Sequence, residues 1–283
     1  MKRRHLFKTI LPLLVALATV GSNVRAAELL GIDFDGVLYD INLTTGAATN
    51  PRPTGVPTLS GLAWSPTAGL YAHDAATNSL FRLNRLTGEA TRIGSLGLDA
   101  TEGDLAFHPL TGVLYGSQTA GSDRLYTIDI QSGQATVIGS VLSGGDLSAM
   151  AFNRNGELFG IDTSNHRILK IDPLTAQIIG QPQVIQGNTL GATAGMAFDP
   201  DAANDLNAWV VGRSSSYPGG DPNNPLNPLY ALTLENGFLR PGSRNTGLAD
   251  GLSGLTFVPE PSSLALLAVG FLLIQRPRRT SVR

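Results

Sequence analysis

Leu125-Tyr126-Thr127-Ile128-Asp129-Ile130-Gln131-Ser132-Gly133 decides the fold, because its pattern recurs along the chain. Matching segments are Leu38-Tyr39 … Asn42 … Thr45-Gly46, Leu80-Phe81 … Asn84 … Thr87-Gly88 and Ile168-Leu169 … Asp172 … Thr175-Ala176, with a degraded Leu229-Tyr230 … Thr233 … Asn236-Gly237. Eight positions separate the first residue from the Gly or Ala in every copy. A second anchor runs in phase with the first: Leu62-Ala63-Trp64, Leu105-Ala106-Phe107, Met150-Ala151-Phe152, Met196-Ala197-Phe198 and Leu255-Thr256-Phe257. Its spacings of 43, 45, 46 and 59 residues define five units of near-constant length. Such periods belong to stacked supersecondary repeats rather than to a single irregular core.

Each unit reads as four short strands. In the third they are Asp104 to Phe107, Val113 to Ser117, Leu125 to Ile130 and Ala135 to Gly139, separated by His108-Pro109-Leu110-Thr111-Gly112 and Ile130-Gln131-Ser132-Gly133. The Asn/Asp-x-x-Thr/Ser-Gly element suits a hairpin, since the Asx oxygen bonds nearby backbone N–H groups and Gly takes positive φ. Four-stranded units of about 40–45 residues predict an all-β, five-bladed β-propeller over residues 28–258. Glu157-Leu158-Phe159-Gly160-Ile161-Asp162-Thr163-Ser164-Asn165-His166-Arg167-Ile168 further resembles an NHL-type propeller repeat, which the other copies match more loosely.

The phase of the repeat predicts how the ring closes. Glu28-Leu29-Leu30-Gly31-Ile32-Asp33 aligns with Glu157-Leu158-Phe159-Gly160-Ile161-Asp162, the second strand of a blade. The first blade therefore lacks its innermost strand, which Ser253 to Val258 would supply from the far end. Along the inner strands Gly61/Ala63, Asp104/Ala106, Ala149/Ala151, Gly195/Ala197 and Gly254/Thr256 alternate with Leu62/Trp64, Leu105/Phe107, Met150/Phe152, Met196/Phe198 and Leu255/Phe257. Alternation puts small residues on one sheet face and large ones on the other, so stacked blades would interdigitate. These motifs are read as packing, not chemistry.

The two ends read as addressing signals. Lys2, Arg3, Arg4 and Lys8, the apolar run Leu11 to Val20, and Val24-Arg25-Ala26 form a secretory signal peptide over residues 1–26, with cleavage after Ala26 or Ala27. Its apolar run, about 10 residues and ~15 Å of helix, is too short for a ~30 Å hydrocarbon core. At the other end Pro259-Glu260-Pro261 precedes an apolar run, Leu264 to Ile274, and then Arg276, Arg278, Arg279 and Arg283. Residues 259–283 together resemble the PEP-CTERM sorting signal of bacterial exported proteins. That resemblance implies Sec-type export, recognition by an exosortase-type membrane protease near Pro259-Glu260-Pro261, transient membrane anchoring through 264–274, and delivery to the cell envelope, outer surface or extracellular matrix. Both terminal runs are expected to be helical.

The formal net charge of −2 conceals this division. Of the 20 basic residues, five lie in the leader and four in the tail, so eleven remain against all 22 acids, about −11 for Glu28 through Glu260. That excess disfavours nucleic acid and anionic lipid surfaces as partners. Extracellular polysaccharide, cations or a surface protein fit better. The chain has no cysteine, which rules out disulfides, thiolate metal sites and thiol nucleophiles.

No G-x-S-x-G, G-x-G-x-x-G, Walker or H-E-x-x-H motif occurs, and His73, His108 and His166 fall in different blades. The candidate ligand face is acidic. Asp99, Glu102 and Asp104 precede the third inner strand, Asp146 and Asp250 precede others, and Asp35 lies between second and third strands on the same side. Carboxylates of this kind suit Ca2+. The insertion Ser214 to Pro228, rich in Pro, Gly and Asn, puts Arg213, Tyr217 and Asp221 within reach of a sugar or protein partner at that mouth. The leading expectation is a non-enzymatic exported propeller. The alternative is a calcium-assisted hydrolase or lyase acting at the acidic mouth.

Overall fold

The computed structural model describes residues 27–100, 103–119, 123–186, 192–202, 205–213, 228–239, 244–248 and 251–259. The predicted signal and sorting segments, including Ala26, Glu260, Pro261, Arg276, Arg278 and Arg279, lie outside the described residues, as do Glu102, Tyr217, Asp221 and Asp250.

In chain order the strands are β1 (Ala27–Asp33), β2 (Val37–Ile41) and β3 (Ala48–Pro53), then β4 (Leu59–Ser65), β5 (Gly69–Asp74), β6 (Ser79–Leu83) and β7 (Ala90–Ser95). The middle of the chain forms β8 (Leu105–Phe107), β9 (Leu114–Gln118), β10 (Arg124–Ile128) and β11 (Ala135–Ser140), followed by β12 (Leu147–Phe152), β13 (Leu158–Asp162), β14 (Arg167–Ile171) and β15 (Gln183–Val184). Last come β16 (Ala192–Phe198), β17 (Asn207–Arg213), β18 (Pro228–Thr233), β19 (Phe238–Leu239), β20 (Arg244–Asn245) and β21 (Leu252–Pro259).

These strands make five antiparallel sheets, the blades of a propeller. Blades 2, 3 and 4 are β4–β7, β8–β11 and β12–β15, and blade 5 is β16–β19 with β20 beside β18. Blade 1 is ordered β21-β1-β2-β3, so its innermost strand comes from the opposite end of the chain, as the repeat phase predicts. Along that seam Leu30 pairs with Thr256, and Ala27 with Pro259. Apart from Ser253 at a bulge, every residue of β21 pairs with β1, so the ring shuts only when its last strand is in place.

Five apolar clusters fill the spaces between blades, and the size alternation explains them. Ala63 of blade 2 faces Leu105 and Phe107 of blade 3, and Ala106 faces Met150 and Phe152 of blade 4. Ala149 and Ala151 face Met196 and Phe198 of blade 5, and Ala197 faces Leu255 and Phe257 of blade 1. Leu62 and Trp64 complete the circle against Leu30, Leu38 and Val258 of blade 1. Three of the five aromatic inner-strand ends also meet a ring on the second strand of the preceding blade. Tyr71–Phe107 (centroids 5.7 Å apart), Tyr115–Phe152 (5.1 Å) and Phe159–Phe198 (5.6 Å) repeat that contact at edge-to-face or tilted angles. Such pairs contribute about 0.5–1.5 kcal/mol each beyond area burial.

The hairpin between third and fourth strands joins neighbouring blades on their outer side. Asn42 Oδ1 accepts Thr44 N–H (2.9 Å) and Thr45 N–H (3.0 Å), while Asn84, Asp129 and Asp172 make the matching bonds in blades 2, 3 and 4. The eighth-position residue then takes positive φ, 82° at Gly46, 83° at Gly88, 81° at Gly133 and 68° at Gly237. A Cβ there would strike the preceding blade: Gly46 meets Arg244, Gly88 meets Arg52, Gly133 meets Gly94 and Gly237 meets Val184. The glycine therefore serves twice, once for the turn and once for the close approach.

Candidate functional site

The five inner strands run in one direction about the axis, so the ring has a front mouth where they begin and a back mouth where they end. Of the acidic residues singled out above, Asp35, Asp99 and Asp146 are described on loops at the front. Asp35 and Asp99 are exposed there, the latter accepting Asn78 Nδ2–H at 3.3 Å, and Asp146 is half-buried. Arg213 closes β17. Among the described residues no three His, Asp or Glu side chains come close enough together to hold a metal ion.

Asp104 departs most from the expectation of a solvent-facing ligand residue. It is fully buried, and its side chain turns in to the axis instead of out to the mouth. Asp104 Oδ2 accepts main-chain N–H bonds from Met150 in blade 4 (3.1 Å) and Met196 in blade 5 (3.2 Å), while Oδ1 accepts Leu105 N–H at 2.9 Å. Leu62 N–H of blade 2 donates to the same carboxyl. One side chain thus ties four inner strands. Burial raises its pKa well above the usual carboxylate range, against the lowering effect of the four N–H groups. Its position is the small-residue slot filled by Gly61, Ala149, Gly195 and Gly254 elsewhere, and only the absence of side chains at the glycines lets the strands crowd it. A Cβ at Gly61 would lie 2.8 Å from Leu105 N, and one at Gly254 would lie 2.6 Å from Leu62 N.

Two serines continue this closure. Ser253 Oγ bonds Leu59 O at 2.8 Å, linking blade 1 to blade 2, and Ser60 Oγ bonds Gly103 O at 3.0 Å, linking blade 2 to blade 3. Sequence reasoning passed over both, although the signal was present as Ser60-Gly61-Leu62 and Ser253-Gly254-Leu255 at the same phase.

Beside this seal, on the second strand of blade 2, His73 is fully buried, and neither ring nitrogen has a hydrogen-bond partner. Burial lowers its pKa to about 4, with Asp74 acting weakly in the opposite sense. The other two imidazoles among the described residues serve turns. His108 Nδ1 accepts Leu110 N–H (3.2 Å) and Thr111 N–H (3.3 Å), and His166 is exposed at φ 49°.

The cavity opens at the back mouth. It holds about 270 Å³ and is built from the same three consecutive residues of every inner strand. Leu62, Leu105, Met150, Met196 and Leu255 lie deepest, Ala63, Ala106, Ala151, Ala197 and Thr256 come next, and Trp64, Phe107, Phe152, Phe198 and Phe257 stand at the rim. The Asp104 carboxyl bonds the backbone of Met150 and Met196, so the polar seal holds the apolar floor in place. Charged side chains line it from one side only, in the turns of blades 4 and 5. Arg154, ion-paired with Asp205, lines the cavity there with Asn153 and Asp199. Asn153 is itself buried and committed, accepting Asn155 and Glu157 N–H groups and donating to Glu157 at 2.7 Å. A concave apolar site with a few polar groups on one edge suits binding of an apolar or amphipathic group. The lining contains no nucleophile with an adjacent base, the arrangement that covalent catalysis uses.

No protein-family model matches the chain, and no curated protein matches it. Solved structures do resemble it. A chain of a nidogen/laminin complex aligns over 82% of this chain and 98% of its own length, at 16% identity and a TM-score of 0.51. A protein of unknown function from Bacteroides caccae aligns over 83% and 100%, at 14% identity and a TM-score of 0.52. At these identities the likeness is one of fold, that of a β-propeller.

Proposed function

We propose that this protein is an exported, non-enzymatic binding propeller, carried to the cell surface or extracellular matrix by its Pro259-Glu260-Pro261 tail and taking an apolar or amphipathic group in the back-mouth cavity. The observation that carries the reading is the end of β21. The closing strand runs to Pro259, paired with Ala27 at the start of β1. Both inferred processing points, after Ala26 or Ala27 and near Pro259-Glu260-Pro261, therefore flank one seam of the folded domain. Trimming at either end leaves the ring whole. In this reading an exosortase-type protease and the Sec machinery are the processing partners, and matrix polysaccharide or a surface protein is the partner of the mature domain.

The test is fractionation of cells producing the full chain and a chain lacking residues 262–283, which retains all of β21. Loss of the truncated chain from the envelope or matrix fraction, with its appearance elsewhere, is the expected result. Unchanged location overturns the sorting part. Failure of the truncated chain to bind any neutral apolar probe overturns the cavity part.

A further inference from the structure

We infer that the back-mouth cavity is the docking site of the chain's own C-terminal segment, residues 262–283, which caps it until that segment is removed or transferred elsewhere. The inference rests on the cavity being a binding site, and is independent of whether the tail is a sorting signal.

Placement comes first. Thr256 and Phe257 line the cavity, and the described chain ends two residues later, at Pro259. The described chain therefore ends at the rim itself, with residues 260–283 still to follow. Leu264, where the apolar run Leu264 to Ile274 starts, is five residues further on, within a reach of about 17 Å.

Chemistry comes second. The cavity floor is wholly aliphatic or thioether, matching a run of Leu, Ala, Val, Phe and Ile side chains. Single exposed leucines also lie on the same side of the ring. Leu86, Leu110 and Leu174 are 70%, 73% and 79% exposed, and all three sit in turns on the back side of the ring. No large apolar side chain so exposed occurs among the described turns of the front side.

Charge comes third. Among the cavity-lining residues Asp199 and Asp205 stand against one cation, Arg154, and Asp201 is exposed in the same turn. The tail brings Arg276, Arg278, Arg279 and Arg283 to a body whose own charge is about −11. An apolar segment followed by a basic cluster is complementary to an apolar cavity with an acidic edge. Tethering makes the contact intramolecular, so modest affinity suffices, at an effective concentration of about millimolar for a short linker.

The experiment compares the full chain with the chain ending at Ser263, both in buffer without detergent, using N-phenyl-1-naphthylamine as a neutral probe. The truncated chain should bind the probe, the full chain several-fold less, and a synthetic peptide of residues 262–283 should displace the probe from the truncated chain at about millimolar concentration. Because the natural chain has no cysteine, a nitroxide on Ala268→Cys can be placed cleanly in the full chain. In a Trp209→Phe background it should quench emission from Trp64 at the cavity rim, and high salt or glutamine at the four tail arginines should relieve that quenching. Equal probe binding by both chains, or Trp64 emission indifferent to the label, overturns the docking and leaves the cavity reading intact. No probe binding by the truncated chain overturns both.

Discussion

The front and back ends of the inner strands are made of opposite materials. At the front, main-chain N–H groups converge on Asp104, serines bond across blades, and glycines let backbones touch. At the back, each strand ends on an aromatic side chain, and the walls stand apart around about 270 Å³. Acidic side chains draw attention to the front, yet the space for a ligand is behind. A propeller taper needs its strands drawn together somewhere, and the cheapest closure is by residues with little or no side chain. Where large side chains resume, the strands are wedged apart and a cavity follows. Polarity here reports where the ring is tied, and bulk reports where it opens.

The largest expected effect would come from cutting the tie. Asp104→Ala leaves four buried N–H groups without their acceptor, at about 1–3 kcal/mol per orphaned group. Because these costs are not additive, a total of about 5 kcal/mol is expected in urea denaturation, a large share of a stability of order 5–15 kcal/mol. Asp104→Asn keeps one carbonyl oxygen but turns N–H groups toward N–H groups, and should fall between Ala and the natural residue. The probe affinity of any folded fraction should drop as well, since the floor residues Met150 and Met196 lose their anchor. A change below about 1 kcal/mol for Asp104→Ala would break the comparison, leaving the front no more tied than the back.

His73 tests the same end through pH. Its folded pKa of about 4 lies below the 6.5 of the free side chain, so the unfolded chain takes up the proton first on acidification. Stability is unaffected above pH 6.5 and is lost between 6.5 and 4, by about 3 kcal/mol in all. His73→Leu should remove that loss from the urea midpoint across the window. Asp104, with a raised pKa, has the opposite sign: acidification through its folded pKa restores stability that ionisation costs at higher pH. An Asp104 variant should therefore leave the His73 loss in place and may not be mistaken for it. A His73→Leu protein that still weakens between pH 6.5 and 4 would assign the loss elsewhere.

How much of this was legible in the sequence follows from range. Strand order, blade number and closure by β21 could be read because period and phase are local patterns, and every Leu-Ala-Phe copy keeps its own alternation. The acidic cluster could be read only as composition. Asp104 precedes an inner strand just as Asp146 does, and nothing local distinguishes them. What separates them is Met150 and Met196, 46 and 92 positions away, whose N–H groups meet only Asp104. The cavity was invisible for a related reason. Its residues were recognised, correctly, as interblade packing, but packing side chains that sit at strand ends also form a rim. The turn glycines were read for their positive φ, and their approach to the neighbouring blade appears only in three dimensions.

Those glycines carry the smaller predictions, on the outer side of the back face. Gly133→Ala would put an L-residue at φ 81° and a Cβ within 2.8–3.0 Å of the Gly94 main chain. A loss of about 2–3 kcal/mol is expected, since backbone cannot yield as a side chain does. Blade 4 is the natural exception, with Ala176 at φ 60°. Its methyl group is accommodated because blade 4 approaches blade 3 less closely: a Cβ at the facing Gly139 would lie 3.2 Å from Ala176 Cβ and 3.3 Å from Thr175 O, where one at Gly94 would lie 2.0 Å from Ser132 O. Ala176→Gly should relieve the backbone cost and raise stability by about 0.5 kcal/mol, or roughly 1–2 °C in melting temperature for a domain of this size. The two positions should also be coupled. Gly139→Ala should cost more in the natural chain than in the Ala176→Gly background, by about 0.5 kcal/mol in a double-mutant cycle. Strict additivity would mean that Ala176 is tolerated by the turn alone, with no part played by its contact with Gly139.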